Sequence, residues 1–319
     1  MTKTLKVFAL LVVIVVPLSA FAQGLSEEDQ ANLEKALAAL EAASTYTSYT
    51  VEQTEVNGSI ITVTANSESL LSQESSEVTT TTYTLINSDT PNLGGTSTVI
   101  GNRIEDGTES TFLIQADLRL VDGSVYVNAS YTTPDPSLPA LPDGWTAITR
   151  ADLEAYPGLE SLGLDKIFTT VEDGGLLPFV QNFERFAEVI RASATVVAVE
   201  TQTLEDGRDV ESITILLGSE GLGGLLTVDE DSAQNPLIEL ISQNLTEDSN
   251  GLLAVAIDAD GNVAQVLLAA TVTTSEVDMT SVMTNAPAGT VGVFEITNSS
   301  LLTVSGVGET YTPVEAPSE

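Results

Sequence analysis

Cysteine and histidine are absent from the 319 residues, and Lys and Arg together number 10 against 46 Asp and Glu. The first two absences remove disulfides, zinc held by Cys or His, thiolate nucleophiles, the Ser-His-Asp triad and haem on its usual axial ligand. Carboxylate chemistry, hydroxyl chemistry or no chemistry is left. The shortage of cations gives a formal charge of −36, which repels a phosphate backbone, so no nucleic acid is expected as a partner. Aromatic residues are few, at 5%, and Trp145 is the only tryptophan. Long apolar runs are lacking too. The run from Val7 to Leu18 has twelve residues and is broken by Pro17, short of the ~20 that a spanning helix needs.

That run has the flanks of an export signal. Lys3 and Lys6 precede it and Ala20-Phe21-Ala22 follows, so residues 1–22 read as a signal peptide cleaved before Gln23, and the protein as secreted or periplasmic. Cleavage removes two cations and takes the charge from −36 to −38. No Cys stands near the cleavage point to carry a lipid anchor. With 42% hydrophobic residues and a mean hydropathy of +0.17, the remainder holds enough apolar material for a core. The acid is therefore a coat on a soluble globular body, expected to be a monomer. Residues 23–308 form one domain in this reading, and residues 309–319 an acidic flexible tail.

Within that domain most of the texture is strand. Ser26 to Ala43 is the exception at the start: a Ser N-cap, acids at Glu27, Glu28 and Asp29, and Leu33, Leu37 and Leu40 at helical spacing make an amphipathic helix. From Ser44 to Asn128, runs rich in Thr, Val, Ile and Tyr alternate, punctuated at Asn57-Gly58, Asp89 to Gly95, Asp106-Gly107 and Asp122-Gly123. These are hairpin signals and predict an antiparallel meander. The threonines at 79–82 fit an exposed sheet face. Four prolines between Pro134 and Pro142 interrupt the sheet, and Thr149 caps a short helix. Between Leu176 and Ile190, apolar residues fall at Leu176, Phe179, Val180, Phe183, Phe186, Ala187 and Ile190, one side of a helix. Two strands turning on Glu205 to Arg208 follow, then a Gly-rich link from Gly218 to Gly224 and a helix from Asn235 to Gln243. A hairpin on Asp260-Gly261 and a last strand region from Gly289 to Thr303 complete the order. The fold class is α+β: a curved antiparallel sheet with helices gathered on one side.

The leading helix with its tyrosine-bearing first strand (AALEAASTYTSYTVEQT), the D-G-x-V-Y-V strand from Asp122 to Val127, the Pro-containing linker closing on Gly144-Trp145, and ETQTLEDGRDV from Glu200 to Val210 together resemble the LppX/LprG-type lipoproteins. These belong with the lipoprotein localisation factors LolA and LolB. The resemblance implies a half-open β-barrel whose concave face is covered by helices around an apolar cavity for acyl chains. It spans most of the chain, about residues 26–303. The lipid-bearing Cys of LppX/LprG-type members is missing, which makes a soluble LolA-like carrier the nearer analogue.

The expected function is accordingly a non-catalytic carrier, needing no cofactor, that binds a lipid or an acylated protein and touches a membrane transiently. A helix stripe over an open sheet leaves room for an apolar chain, and burying each methylene yields ~0.8 kcal/mol. Candidate lipid-binding residues are Leu176, Phe179, Val180, Phe183, Phe186 and Ile190 of the stripe, Val125 and Val127 of the sheet, and Leu237 and Ile241 of the following helix. Plain core is the other reading of the same residues. A cell-surface structural or interaction module without a cavity is the alternative function, and an acidic glycosidase a distant third, since 46 acids always supply some suitably spaced pair. Asp258 to Asn262 lacks the spacing of a calcium loop and reads as a turn. The sequons at Asn57, Asn128, Asn244 and Asn298 matter only on a eukaryotic secretory route.

Overall fold

The computed structural model describes residues 25–88, 90–105, 107–133, 143–149, 152, 183–227, 235–283 and 286–317. The expected signal peptide, the Pro-rich linker and the first half of the 176–190 stripe lie outside these residues. Six strands come first: β1 (Ser48–Ala65), β2 (Glu68–Ile86), β3 (Asn92–Glu105), β4 (Thr108–Val121), β5 (Ser124–Thr133) and β6 (Thr146–Ile148). Six follow: β7 (Ala194–Thr203), β8 (Asp209–Leu217), β9 (Asn250–Asp258), β10 (Val263–Thr273), β11 (Val277–Asp278) and β12 (Thr290–Ser305). They form one antiparallel sheet in the order β6-β5-β4-β3-β2-β1-β12-β10-β9-β8-β7, with β11 beside β12. Among the described residues β6 and β7 do not pair with each other, so the sheet is open. Among the described residues the α-helices are α1 (Glu27–Ala43), α2 (Phe183–Ser193), α3 (Ser219–Leu226) and α4 (Pro236–Gln243).

Turn chemistry sets the meander, in one place differently from expectation. Ala65 pairs with Glu68 across Asn66-Ser67, both at positive φ, and Val121 pairs with Ser124 across Asp122-Gly123, also both positive. Such two-residue turns match the twist of the strands they join. Asn57-Gly58, in contrast, is no turn: it lies mid-strand, with Asn57 opposite Glu77 on one side and Asn298 on the other. A Cβ on Gly58 would come within 2.8 Å of the Thr297 hydroxyl, so this glycine serves a close cross-strand approach. Gly94 and Gly95, expected in a turn, likewise lie inside β3. The Thr-rich patch is two-sided, because residues alternate across the sheet: Thr80 and Thr82 are exposed, whereas Thr79 and Thr81 are buried and Thr81 shares a hydrogen bond with Ser97.

Alternation also defines the core. Tyr49, Val51, Leu85, Leu93, Ile114 and Leu118 point to one face, where they join Leu33, Leu37 and Leu40 of α1 in a single apolar cluster. Each such Leu contributes ~1.5–3 kcal/mol on burial. The start of α1 is fixed by a capping box: the Ser26 hydroxyl accepts from the Asp29 N–H while the Ser26 N–H donates to the Asp29 carboxylate. The helix then packs on β7, β8, β9 and β10. A second cluster, with Leu222 of α3, Ile241 of α4, Val272, Met279 and Phe294, lies farther along the sheet.

The C-terminal residues 309–317, expected to be loose, are tied to the opposite face. The Ser48 hydroxyl donates to the Glu309 carbonyl at 2.6 Å, the Asn92 side chain bonds both N–H and C=O of Val314, and Arg119 donates to the Glu315 carbonyl at 2.9 Å. These bonds are directed at the backbone of the acidic segment rather than at its carboxylates, which composition does not reveal.

Candidate functional site

Where the two apolar clusters meet, they leave a cavity of about 190 Å³. Ile190 of α2, Leu222, Leu225 and Leu226 of α3, and Leu217, Leu253 and Leu268 of the sheet line it. Its floor follows from strand register. Leu217, Gly251, Ala270 and Asn298 stand side by side on β8, β9, β10 and β12, so a residue without side chain and one with a methyl lie under the helices. A Cβ on Gly251 would rest at van der Waals distance from Leu217 and Leu222, which shows that the missing side chain is unfilled space rather than a relieved clash.

The roof is built by glycine in another way. The stretch from Gly218, expected as a link, is helix α3 from Ser219 onward. Three of its residues are Gly, ordinarily costly in a helix by up to ~1 kcal/mol each, and two have a contact reason. A Cβ on Gly221 would sit 2.6 Å from Ser193 Cβ, and one on Gly224 2.9 Å from Val189 Cγ1. The glycines therefore let α3 lie close against α2, with the leucines turned to the cavity and the second cluster.

The same row continues beyond the cavity into polar ground: Asn298 pairs with Asn57, Asn57 with Glu77, and Glu77 with Gly101, which lies under the Phe112 ring. Asn57 donates to the Glu55 carboxylate at 3.2 Å and Asn298 donates to Asn57 and Glu55. Gln53 donates to Ser300 at 3.1 Å. The sheet face is thus apolar at the cavity and amide- and carboxylate-lined next to it.

Of the candidate residues, Leu176, Phe179 and Val180 lie outside the described residues. Ile190 lines the cavity. Phe186, Val125 and Val127 are buried in the first cluster, with Phe183 packed against it, its ring 6.3 Å from that of Phe186. Ile241 is buried in the second cluster, and Leu237 packs on it. Sequence reasoning missed the α3 leucines and the Gly251 and Ala270 floor. The signal was the spacing of Leu217, Leu222, Leu225 and Leu226, obscured by four intervening glycines.

The ionisable groups show no catalytic arrangement among the described residues. No three potential metal ligands converge there. Glu34 is held below the usual carboxylate range by two hydrogen bonds from Arg191, and Asp206 by those from Arg208; both are exposed surface pairs. Burial pushes the hydroxyls of Tyr49 and Tyr83 far up, and that of Tyr46 up. On the opposite face, a wider hollow of about 500 Å³ lies between β2, β3 and β4, Trp145 and the C-terminal segment, with the Arg119 guanidinium 4.6 Å over the Trp145 ring.

Among the described residues no helix is long and apolar enough to cross a membrane. No family model matches the chain, and no curated protein matches it. A solved structure, the beta-barrel-like protein of a domain of unknown function (DUF1849) from Brucella abortus, is 9% identical over 80% of this chain and 98% of its own, with a TM-score of 0.17. At that score the match carries no argument, and the fold stands on the strand pairings alone.

Proposed function

We propose that this protein is an exported, non-catalytic carrier of an apolar chain, built like the LppX/LprG-type and LolA/LolB-type proteins as a half-open barrel with helices over its concave face. The observation that supports this most directly is the apolar cavity between α2, α3 and the sheet. Its 190 Å³ exceeds the ~150 Å³ of an apolar cavity that accepts benzene. At the ~30 Å³ that a water occupies, it takes roughly six groups of methylene size. Six methylenes yield about 5 kcal/mol, a dissociation constant in the sub-millimolar range. That suits one acyl chain end, from a lipid or an acylated protein, exchanged readily at a membrane.

The test is direct. Native mass spectrometry of protein purified from its own cell envelope is expected to show co-purified lipid, and a fluorescent dodecanoyl probe is expected to bind. Gly251→Val, whose Cβ meets only ordinary van der Waals contacts and whose methyls take up the floor space, should weaken the probe at least tenfold while leaving the circular dichroism spectrum unchanged. Identical native and delipidated masses together with no probe binding overturn the reading. The alternative, an interaction module, is favoured by the row Val56, Val78, Ile100 and Leu113 across the other face, in which Ile100 is 56% exposed. It gains if the probe does not bind and a partner protein is retained by that face.

A further inference from the structure

The face of the sheet opposite the core carries a second built feature, independent of the cavity. Residues 309–315 run across β1, β2, β3 and β4, and the contacts made there are of the type with which a binding groove holds an extended peptide. At one end the Gly308 N–H donates to the Ser48 carbonyl and the Ser48 hydroxyl donates to the Glu309 carbonyl. At the other, the Asn92 side chain acts as a peptide mimic: its amide N–H donates to the Val314 carbonyl at 3.0 Å and its carbonyl accepts the Val314 N–H at 2.9 Å. Arg119 donates to the next carbonyl, that of Glu315. Between the ends, the Tyr311 hydroxyl meets the Thr50 hydroxyl and donates to the Gly306 carbonyl.

One side chain is read as well. A Cβ on Gly94 would fall 2.6 Å from Val314 Cγ1, so the absence of a side chain at position 94 forms the notch that receives Val314. Gly94 is placed in a strand, where glycine weakens the element, and this contact accounts for it. The segment itself is suited to its seat: Pro313 holds the chain extended and biases Thr312 to extended geometry as well.

We infer that the outer face of β1–β4 is a peptide-recognition groove for an extended segment carrying a β-branched residue after proline, and that its resident occupant is the chain's own segment 309–315. Covalent attachment keeps the local concentration of this occupant high, so the groove is filled in the intact protein and open to a segment of the same chemistry in trans once residues 309–319 are removed. Recognition rests on backbone hydrogen bonds and one small apolar notch, so opposite charge on the partner is not required.

Two measurements test this. In the full-length protein, hydrogen exchange of the Val314 amide is expected to be protected and to accelerate at least tenfold in Asn92→Ala, since the variant removes both bonds to that peptide group. In the chain ending at Gly308, the peptide of residues 309–319 is expected to bind in trans and to shift the fluorescence of Trp145, the sole tryptophan. Losing two hydrogen bonds in Asn92→Ala should weaken that peptide roughly tenfold or more, and Gly94→Val should abolish its binding. Unchanged Val314 exchange in full-length Asn92→Ala overturns the inference, whether or not the truncated chain folds. So does peptide binding of equal strength to the intact and truncated chains, because an occupied groove should exclude it.

Discussion

Tyr46 and Tyr49 sit with their rings in edge contact, centroids 6.4 Å apart, and their hydroxyls differ in a way that gives opposite expected outcomes for the same substitution. The Tyr46 hydroxyl accepts the Val263 backbone N–H at 2.8 Å, and Val263 is buried at the start of β10. The Tyr49 hydroxyl is buried and has no hydrogen-bond partner among the described residues. Tyr46→Phe strands a buried N–H, which costs ~1–3 kcal/mol. Tyr49→Phe removes a desolvated, unpaired hydroxyl that itself costs ~1–3 kcal/mol, set against a few tenths lost in dispersion contacts, so a net gain of about 1 kcal/mol is expected. The two single variants should therefore differ by about 3 kcal/mol, more than a hundredfold in the unfolding constant. Urea denaturation followed by far-ultraviolet circular dichroism measures both, with the midpoint rising for Tyr49→Phe and falling for Tyr46→Phe at unchanged slope. Since burial raises both phenols, neither ionises at neutral pH and buffer choice near pH 7 does not alter the comparison. A Tyr49→Phe variant less stable than the parent refutes the reasoning.

Other substitutions probe the site and the coat. Gly221→Ala forces a Cβ against Ser193 and is expected to destabilise by ~1–3 kcal/mol by separating α3 from α2, whereas Gly251→Ala, which meets only ordinary contacts, should be neutral or up to ~1 kcal/mol stabilising; thermal melts of the pair distinguish them. With a charge of −36, self-repulsion is screened by added salt, so the melting temperature at pH 7 should rise between low and 0.5 M NaCl, and a fall would contradict the picture of an unneutralised acidic coat. Asp206 has its pKa lowered, chiefly by the Arg208 hydrogen bond. Its contribution is therefore present above the ordinary carboxylate pKa and lost as pH falls through the lowered one. The stability difference between the parent and Asp206→Ala should be constant from pH 7 to 5 and shrink in acid.

Much of the architecture is legible in local chemistry. The Ser26 cap and the turns at Asp122-Gly123, Gly207 and Gly261 fix their elements from a few residues each, and the structure has them where the sequence reading places them. Glycine was the residue read least well, because its uses are tertiary. Gly58, Gly94, Gly221 and Gly224 all lie inside regular elements, each permitting another side chain or backbone to approach. A single sequence shows the glycine but not the neighbour. The cavity is half visible for the same reason: the α2 stripe announces a buried face, but the space comes from Gly251 and Ala270, brought level by the register of two neighbouring strands. The seat of residues 309–315 is not legible locally, because its anchors are Ser48, Asn92 and Arg119, more than 190 residues away in sequence.

Strand order has a kinetic consequence. Strands β1–β6 follow one another as neighbours, and β7–β10 do the same, so each half needs only local pairing. Among the described residues the halves are joined within the sheet through β12, which lies between β1 and β10 and pairs Thr50 with Ser305 and Gln265 with Thr303. Strand β12 is the keystone of the sheet. Until residues 290–305 are available, β1 and β10 both present unpaired edges, and closing a loop of some 250 residues makes this final docking slow compared with hairpin formation. Docking of β12 therefore closes two open edges in one step, on β1 and on β10.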